Sequence, residues 1–192
     1  MRRPTFQVFT EGRKTEPQYL TAWKRLYRDR VLLEIEEGEG PTPYRLVEAA
    51  VAAKRRAQRD QRRGKGQAPD AYWCVFDTDE HTRLEDAIAL AREFGIEVAV
   101  SVPCFELWLL LHHADHRGWI GQQDVQRKLR DLTSIEKTLN QTQLAELVRQ
   151  YDVARERAIA LDAMHDRNDS QDQNPSTGVW RLVDAIRAAA ER

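Results

Sequence analysis

Short apolar runs alternate with amphipathic stretches through the first half of the chain. Four of these runs predict β-strands, because each is short and apolar or alternating, and turn residues follow it. They lie at residues 6–9, 31–36, 71–76 and 96–102. Between them, apolar side chains recur at helical spacing at residues 15–27, 44–61 and 84–94. This alternation indicates βαβ units, so we predict an α/β fold with a mostly parallel central sheet of about four strands flanked by helices.

From Cys104 onward the pattern is helical. It predicts an apolar helix at 105–113, one or two amphipathic helices within 134–161, a polar loop at 165–177 and a final helix at 178–191. We therefore predict two parts, an α/β core at 1–118 and a C-terminal helical extension at 119–192. The extension is expected to pack on the core in one compact unit.

Two helix starts carry capping signals. At the first helix, Thr15 is expected to cap and Gln18 to complete a capping box, with Pro17 in the first turn. At the last helix, Ser176 or Thr177 is expected to be the capping residue.

Composition indicates an ordinary soluble protein. The 192 residues are 41% apolar and 32% charged with a net charge of −1, so any surface that attracts nucleic acid must be local. Both cysteines, Cys74 and Cys104, lie in apolar segments without CxxC spacing and are expected to be reduced and buried. The N-terminus lacks the apolar run of a signal peptide, and the longest apolar stretch is too short to span a bilayer. We therefore expect a cytoplasmic location and no membrane contact.

Acidic residues follow two of the predicted strands directly. Asp77 and Asp79 come after the third strand, and Glu11 comes after the first, with Gly12 behind it to allow a sharp turn. Carboxylates two residues apart in an extended segment point the same way and repel each other unless a cation lies between them. Ligands of open α/β sheets bind outside the carboxyl ends of the strands, and Mg²⁺ prefers carboxylates, water and phosphate oxygens. We predict a magnesium site at these three acids; a helix cap and solvated turn residues remain the alternative.

Two groups of cations are candidates for phosphate binding. Arg13 and Lys14 lie beside Glu11 just before a helix N-terminus, which favours anions, although the spacing is not that of a Walker motif. The second group is a basic run on a helix end and the following glycine-containing loop. Its members are Lys54, Arg55, Arg56, Arg59, Arg62, Arg63 and Lys65. This basic run either follows a phosphate backbone or is a solvated helix face.

Further candidates lie in the apolar helix. Glu106 is an acid near the helix N-terminus and is either a fourth metal ligand or a residue that stabilises the helix end. His112 and His116 have helical spacing, but no matching Cys or His partners follow them, so the pattern does not favour zinc.

Four sequence strings together resemble the RloB-like family over about residues 5–185. They are E-G-x-K-T-E at 11–16, F-D-x-D-E-H at 76–81, P-C-F-E-L-W-L-L-x-H at 103–112 and N-P-S-T-x-V at 174–179. The resemblance implies a Toprim-like domain with Mg²⁺ or Mn²⁺ at Glu11, Asp77 and Asp79. It also implies a place in bacterial anti-phage, abortive-infection loci that often encode a partner ATPase of the AAA or ABC type.

These observations predict a Toprim-type nuclease that hydrolyses phosphodiesters of DNA or RNA, tRNA included. Asp77 and Asp79 are expected to hold the metal, Glu11 to bind metal or act as general acid/base, and Arg13 and Lys14 to hold the phosphate. Two alternatives remain: a haloacid-dehalogenase-like phosphatase, and a non-catalytic nucleic-acid-binding or adaptor subunit of a defence complex. The sequence leaves open whether the protein is a monomer or an oligomer.

Overall fold

The computed structural model describes residues 2–37, 42–78, 83–135, 138–168 and 173–192. Its strands are β1 Thr5–Thr10, β2 Leu32–Glu37, β3 Ala71–Asp77, β4 Glu97–Val102 and β5 Ser176–Thr177. Its helices are α1 Thr15–Leu26, α2 Pro43–Arg62, α3 Leu84–Glu93, α4 Glu106–His113, α5 Gln122–Thr133, α6 Gln141–Arg149, α7 Tyr151–Asn168 and α8 Val179–Ala190. These elements confirm the predicted α/β class.

The strands form one sheet in the order β2-β1-β3-β4-β5. The first four are parallel, and β5 pairs antiparallel with β4 through Ser101↔Thr177 and Val102↔Ser176. From β1 the chain continues to β2 on one side of β1, whereas β3 lies on the other side of β1. The direction in which strands are added to the sheet therefore reverses between β1 and β3. This reversal is a topological switch point, the place where open α/β sheets bind ligands.

Two apolar cores cover the two faces of the sheet. One face packs Phe9, Cys74 and Phe76 against α2 and α3. The other packs Val8 and Val75 against α1, α4 and the helices that follow. Because β3 contributes to both cores, its run is apolar throughout, as expected for a central parallel strand.

Several predicted elements need correction. Helix α5 was not predicted, because its stretch is strongly charged and buries only Val125 and Leu129. The polar loop predicted at 165–177 is partly wrong, since α7 continues to Asn168 and Ser176–Thr177 form β5. Lys14 rather than Thr15 is the N-cap residue of α1. Gln18 forms no capping box there; its Oε1 accepts a 2.7 Å hydrogen bond from the backbone N–H of Leu139.

The helices after α4 share a core with the sheet. Leu147, Leu161 and Leu182 belong to the same buried cluster as Val8 and Val75, and β5 extends the sheet itself. The division at residues 118 and 119 remains a prediction. Within the described part of the chain, no helix is both long and apolar enough to cross a membrane.

Candidate functional site

Glu11 and Asp77 are joined by hydrogen bonds where β1 and β3 end. The backbone N–H of Glu11 donates to the carbonyl of Val75 at 3.0 Å, which continues the β1–β3 ladder by one residue. The backbone N–H of Asp77 then donates to Oε2 of Glu11 at 3.1 Å. The prediction that these two acids end neighbouring parallel strands is therefore confirmed.

Glu16 is a site residue that the sequence reasoning missed. It lies in the first turn of α1, and its side chain is only 8% exposed. Its carboxylate packs against Gly12 so closely that a Cβ there would lie 2.1 Å from both oxygens. Burial is the main factor that raises the pKa of Glu16 to about 7, and the charges of Glu106 and Glu11 also raise it.

The position of Glu16 could have been deduced from the helical pattern. The apolar stripe of α1 includes Tyr19, Leu20 and Trp23, which are buried. Glu16 precedes them by three, four and seven residues, so it falls on the same face. A glutamate on the buried face of a helix beside a strand end requires a partner, a proton or a bound cation.

The charges of the other three acids of the site all act on Asp77. Desolvation is the largest of the effects that raise its pKa well above the usual value, and the negative charges of Glu16, Glu106 and Glu11 add to it. The backbone N–H of Phe105, at the start of the α4 segment, acts in the opposite direction. The structure thus brings together Glu11, Glu16, Asp77 and Glu106, which we call the carboxylate cluster.

Cys104 lies beside the carboxylate cluster, and its thiol is buried. Burial raises its pKa, and the charges of Glu106 and Asp77 raise it further. Both cysteines are free and buried, as predicted.

The described side chains do not form a metal-coordination site. Among the residues that the structure describes, no group of three or more His, Cys, Asp or Glu side chains is arranged to hold a metal ion. Asp79, which we predicted as a ligand, lies outside the described residues. The chemistry of the donor set nevertheless fits a hard divalent cation, because burial and the negative charges of Glu16, Glu106 and Glu11 raise the pKa of Asp77, and a cation between such carboxylates stabilises them.

Arg13 and Lys14 lie just after the carboxyl end of β1, as predicted. Both side chains are exposed, and Lys14 is the N-cap residue of α1. They are the described cations nearest in sequence to Glu11 and Glu16.

The basic run lies near the amino ends of the strands, whereas the acids lie at the carboxyl ends. Helix α2 begins after β2 ends and finishes before β3 starts, so its basic C-terminal half approaches the amino ends of the strands. Lys54 donates 2.8 Å hydrogen bonds to the carbonyls of Phe94 and Gly95, just before β4. Arg55 packs 4.5 Å from the centre of the Phe94 ring. Lys54 and Arg55 thus have packing contacts, and Arg55, Arg59, Arg62, Arg63 and Lys65 are exposed.

His112 belongs to the interior. Its ring is 3% exposed, lies edge-on to Tyr19 and Trp108, and shares a 2.8 Å hydrogen bond between Nδ1 and the carbonyl of Trp108. Burial lowers its pKa to about 3, so the ring is neutral. His116 lies near Lys128, with 3.4 Å between Nδ1 and Nζ. Neither histidine is part of a metal-binding group among the described residues.

The string at 174–177 has a structural role. Asn174 holds both backbone groups of Ile120: its Oδ1 accepts from the N–H at 3.1 Å and its Nδ2 donates to the carbonyl at 3.0 Å. Gly178 is the N-cap residue of α8, and the Thr177 hydroxyl accepts a 3.4 Å hydrogen bond from the N–H of Val179. The prediction that Ser176 or Thr177 is the N-cap residue is therefore wrong by one position, and Thr177 supports the first turn from the residue before the N-cap.

Comparison with known proteins bears on this arrangement. A sequence model of the family described as RloB-like protein matches residues 6–186. The chain belongs to the RloB-like family. No curated protein and no solved structure matches it. The matched span of this RloB-like protein includes the whole carboxylate cluster and Asn174, and it confirms the resemblance that the four sequence strings indicated.

Proposed function

We propose that this RloB-like protein is a Mg²⁺-dependent nuclease of the Toprim type that hydrolyses phosphodiester bonds of nucleic acid. The observation that carries the proposal is the carboxylate cluster at the β1–β3 switch point. There the Glu11 carboxylate binds the end of β3, and Asp77 is surrounded by the charges of Glu16, Glu106 and Glu11.

The raised pKa values supply the physical argument for a cation. Carboxylates held together while desolvated are costly unless protonated or neutralised by a positive ion. Glu16, with a pKa of about 7, is half protonated near neutral pH when no cation is present. Mg²⁺ and Mn²⁺ take carboxylate oxygens and keep positions for water and phosphate, so these ions suit the donor set.

The residues have distinct proposed roles. Asp77 and Asp79 hold the metal, and Glu11 and Glu16 bind it or move a proton at their carboxylate oxygens. Glu106 is a further candidate ligand. A bound metal would supply charge stabilisation for the transferring phosphoryl group. Arg13 and Lys14, exposed on the same edge, attract and orient the phosphate.

Strand order supports the nuclease over a haloacid-dehalogenase-like phosphatase. The phosphatase requires its D-x-D after the first strand. Here two strands and two helices precede β3, and Asp77 is the last residue of that strand. The accompanying acids come from other elements: Glu11 directly follows β1, and Glu16 lies in the first turn of α1.

An adaptor subunit is the second candidate function. It is favoured by one observation: among the residues described, no three acids form a ready metal site. In either case we propose action in the cytoplasm within an abortive-infection defence system, together with a partner ATPase encoded nearby. The basic run, distant from the cluster, is available to that partner or to nucleic acid.

A nuclease assay tests the proposal directly. The full chain is incubated with plasmid, single-stranded DNA and tRNA, with Mg²⁺ or Mn²⁺ or with chelator, and with and without the neighbouring ATPase. We expect metal-dependent cleavage that Asp77→Asn abolishes. Asp131→Asn, an exposed aspartate on α5, is the matched control and should leave cleavage unchanged. Absence of Mg²⁺ binding in calorimetry, with no cleavage of any substrate, would establish the adaptor instead.

A further inference from the structure

Four buried polar atoms between α1 and α4 make no hydrogen bond of normal geometry to the described residues. They are Oη of Tyr19, Nε1 of Trp23, Nε1 of Trp108 and Nε2 of His112, and we call these residues the aromatic network. The four residues are at most 3% exposed, so bulk water does not reach these atoms. An unpaired buried donor or acceptor destabilises the folded state, so four such atoms in one place indicate bonds among themselves.

The other three residues of the aromatic network all pack around Tyr19. Its ring lies edge-on to those of Trp23, Trp108 and His112, at 6.3, 6.2 and 5.9 Å between ring centres. Burial raises the pKa of Tyr19, and the indole N–H groups of Trp23 and Trp108 act in the opposite direction. Both indole N–H groups therefore lie close to the phenol oxygen, which can accept hydrogen bonds from them.

His112 presents a hydrogen-bond acceptor at Nε2. Its Nδ1 lies 2.8 Å from the carbonyl of Trp108, and because a carbonyl only accepts, Nδ1 carries the hydrogen. Burial lowers the pKa of His112 to about 3, so the ring has no second hydrogen at neutral pH. Nε2 is therefore a buried lone pair for which a donor is required.

The aromatic network contains equal numbers of donors and acceptors. The two indoles and the phenol supply three hydrogens, and the phenol oxygen and the imidazole supply three lone pairs. The phenol of Tyr19 can thus accept from both indoles and donate to His112, which leaves none of the four atoms unpaired. Loss of the hydroxyl alone would leave the other three without partners.

Tyr19 lies between the two helices that bring Glu16 and Glu106 to the carboxylate cluster. It follows Glu16 by three residues on α1 and packs against the ring of Phe105, with 5.9 Å between ring centres. Phe105 directly precedes Glu106, and its backbone N–H acts on the Asp77 carboxylate. Bonds from Tyr19 to side chains of α4 therefore fix Glu16 relative to Asp77.

We infer that the Tyr19 hydroxyl accepts hydrogen bonds from both indoles of the aromatic network and donates one to His112. The bonded network holds α1 against α4 and so positions Glu16 and Glu106 in the carboxylate cluster. Tyr19 and His112 are positioning residues, because they touch neither metal nor substrate in this scheme. The consequence for metal binding rests on the proposed function.

Tyr19→Phe tests the inference, because it removes the hydroxyl and leaves the ring. Tyr151→Phe is the matched control. Tyr151 packs edge-on to Trp23 and Trp108, but its hydroxyl bonds to residues of α8. Both variants lose a buried hydroxyl from the same core and are expected to lose stability. Only Tyr19→Phe should alter the carboxylate cluster.

NMR of the metal-free protein gives the first readout. In Tyr19→Phe both indole N–H resonances of the aromatic network should shift, because these groups lose their acceptor. The backbone N–H resonance of Asp77 should shift with them, because the surrounding acids are displaced. Tyr151→Phe should leave the Asp77 resonance unchanged.

Calorimetry with Mg²⁺ gives the second readout. We expect Tyr19→Phe to weaken Mg²⁺ binding about tenfold and Tyr151→Phe to stay within about twofold of the wild type, since residues that orient metal ligands have effects of this size. His112→Leu should behave as Tyr19→Phe does. His112→Gln, which keeps an acceptor near the position of Nε2, should retain most of the affinity.

The outcomes separate this inference from the proposed function. If the wild type binds no Mg²⁺ but Tyr19→Phe shifts the indole and Asp77 resonances, the positioning role stands and the nuclease proposal fails. If Tyr19→Phe leaves the indole resonances unchanged, or binds Mg²⁺ as Tyr151→Phe does, the inference is overturned. If Tyr19→Phe does not fold, the two His112 variants decide. Equal Mg²⁺ affinity and equal Asp77 resonances in His112→Leu and His112→Gln overturn the inference, and a change confined to His112→Leu supports it.

Discussion

The Glu11 carboxylate accepts a 3.1 Å hydrogen bond from the backbone N–H of Asp77, so the end of β3 is fixed by the side chain that directly follows β1. Glu11 therefore has a structural role as well as the proposed chemical one. The two roles can be separated, because an amide oxygen accepts the same hydrogen bond without the negative charge.

Replacement of Glu11 by glutamine and by alanine should separate these roles. Glu11→Gln is expected to unfold at the wild-type temperature and to lose metal-dependent cleavage. Glu11→Ala should also lose about 1 kcal/mol of unfolding free energy, because the Asp77 N–H loses its partner. Urea unfolding and the nuclease assay measure the two effects. Equal stability of the two variants would show that the hydrogen bond contributes little.

Replacement of Asp77 by asparagine should abolish cleavage without destabilising the metal-free protein. Burial and the surrounding acids raise the pKa of Asp77, so its charge is unfavourable in the folded state. We expect the variant to melt at or above the wild-type temperature in chelator. Addition of Mg²⁺ should then raise the melting temperature of the wild type more than that of the variant. A large loss of melting temperature in chelator would instead indicate a capping role for Asp77.

Gly12 is expected to be essential for metal binding and cleavage, because the absence of a side chain at this position leaves room for the Glu16 carboxylate. A Cβ at this position would overlap the Glu16 carboxylate, so Gly12→Ala should displace that carboxylate from the cluster. We expect Mg²⁺ affinity and cleavage to fall at least tenfold while the protein remains folded. Gly118→Ala, where a Cβ meets nothing within 4 Å, is the matched control. Normal activity of Gly12→Ala would remove Glu16 from the proposed site.

Glu16 should make the metal-free protein less stable as pH rises. Its folded pKa of about 7 exceeds the usual 4.5, so the folded state binds more protons between these values. Stability is therefore lost as pH rises through this window, by an amount on the order of 3 kcal/mol. Glu16→Gln should remove this loss.

The difference between wild type and variant is the quantity to measure, by urea unfolding in chelator from pH 4 to 8. Buried His112, whose pKa is lowered to about 3, has the opposite dependence and cancels in that difference. A difference that does not change with pH would contradict the assignment.

The sequence predicted those features that depend on local pattern. The apolar runs located β1 to β4, and the acids at strand ends located Glu11 and Asp77, because side chains at the carboxyl ends of neighbouring parallel strands must meet. Glu16 was missed because a glutamate in a first helical turn also has an ordinary interpretation as a helix-stabilising charge. Strand β5 was missed because two residues, Ser176 and Thr177, are too few to form a pattern. Its pairing with β4 depends on a tertiary contact far away in sequence.

The contribution of the basic run to nucleic-acid binding should depend on the length of the nucleic acid. Helix α2 has 20 residues and is therefore about 30 Å long, which separates the exposed cations at its end from the carboxylate cluster at the other edge. A duplex advances about 3.4 Å per base pair, so fewer than about nine base pairs cannot contact both regions. We expect replacement of Arg59, Arg62, Arg63 and Lys65 by serine to weaken binding of a 20-base-pair duplex and to flatten its salt dependence. Cleavage of a 6-base-pair duplex at the carboxylate cluster and binding of Mg²⁺ should not change.

Lys54 and Arg55 are left unchanged in this variant, because they pack on the end of α3 and their loss would disturb the fold. Titrations at several salt concentrations measure both duplexes on the same protein. If neither duplex is affected while the variant fails to co-purify with the neighbouring ATPase, the basic run is a protein-docking surface. That result would also explain its position, because a partner bound at the amino ends of the strands would leave the carboxylate cluster open to substrate.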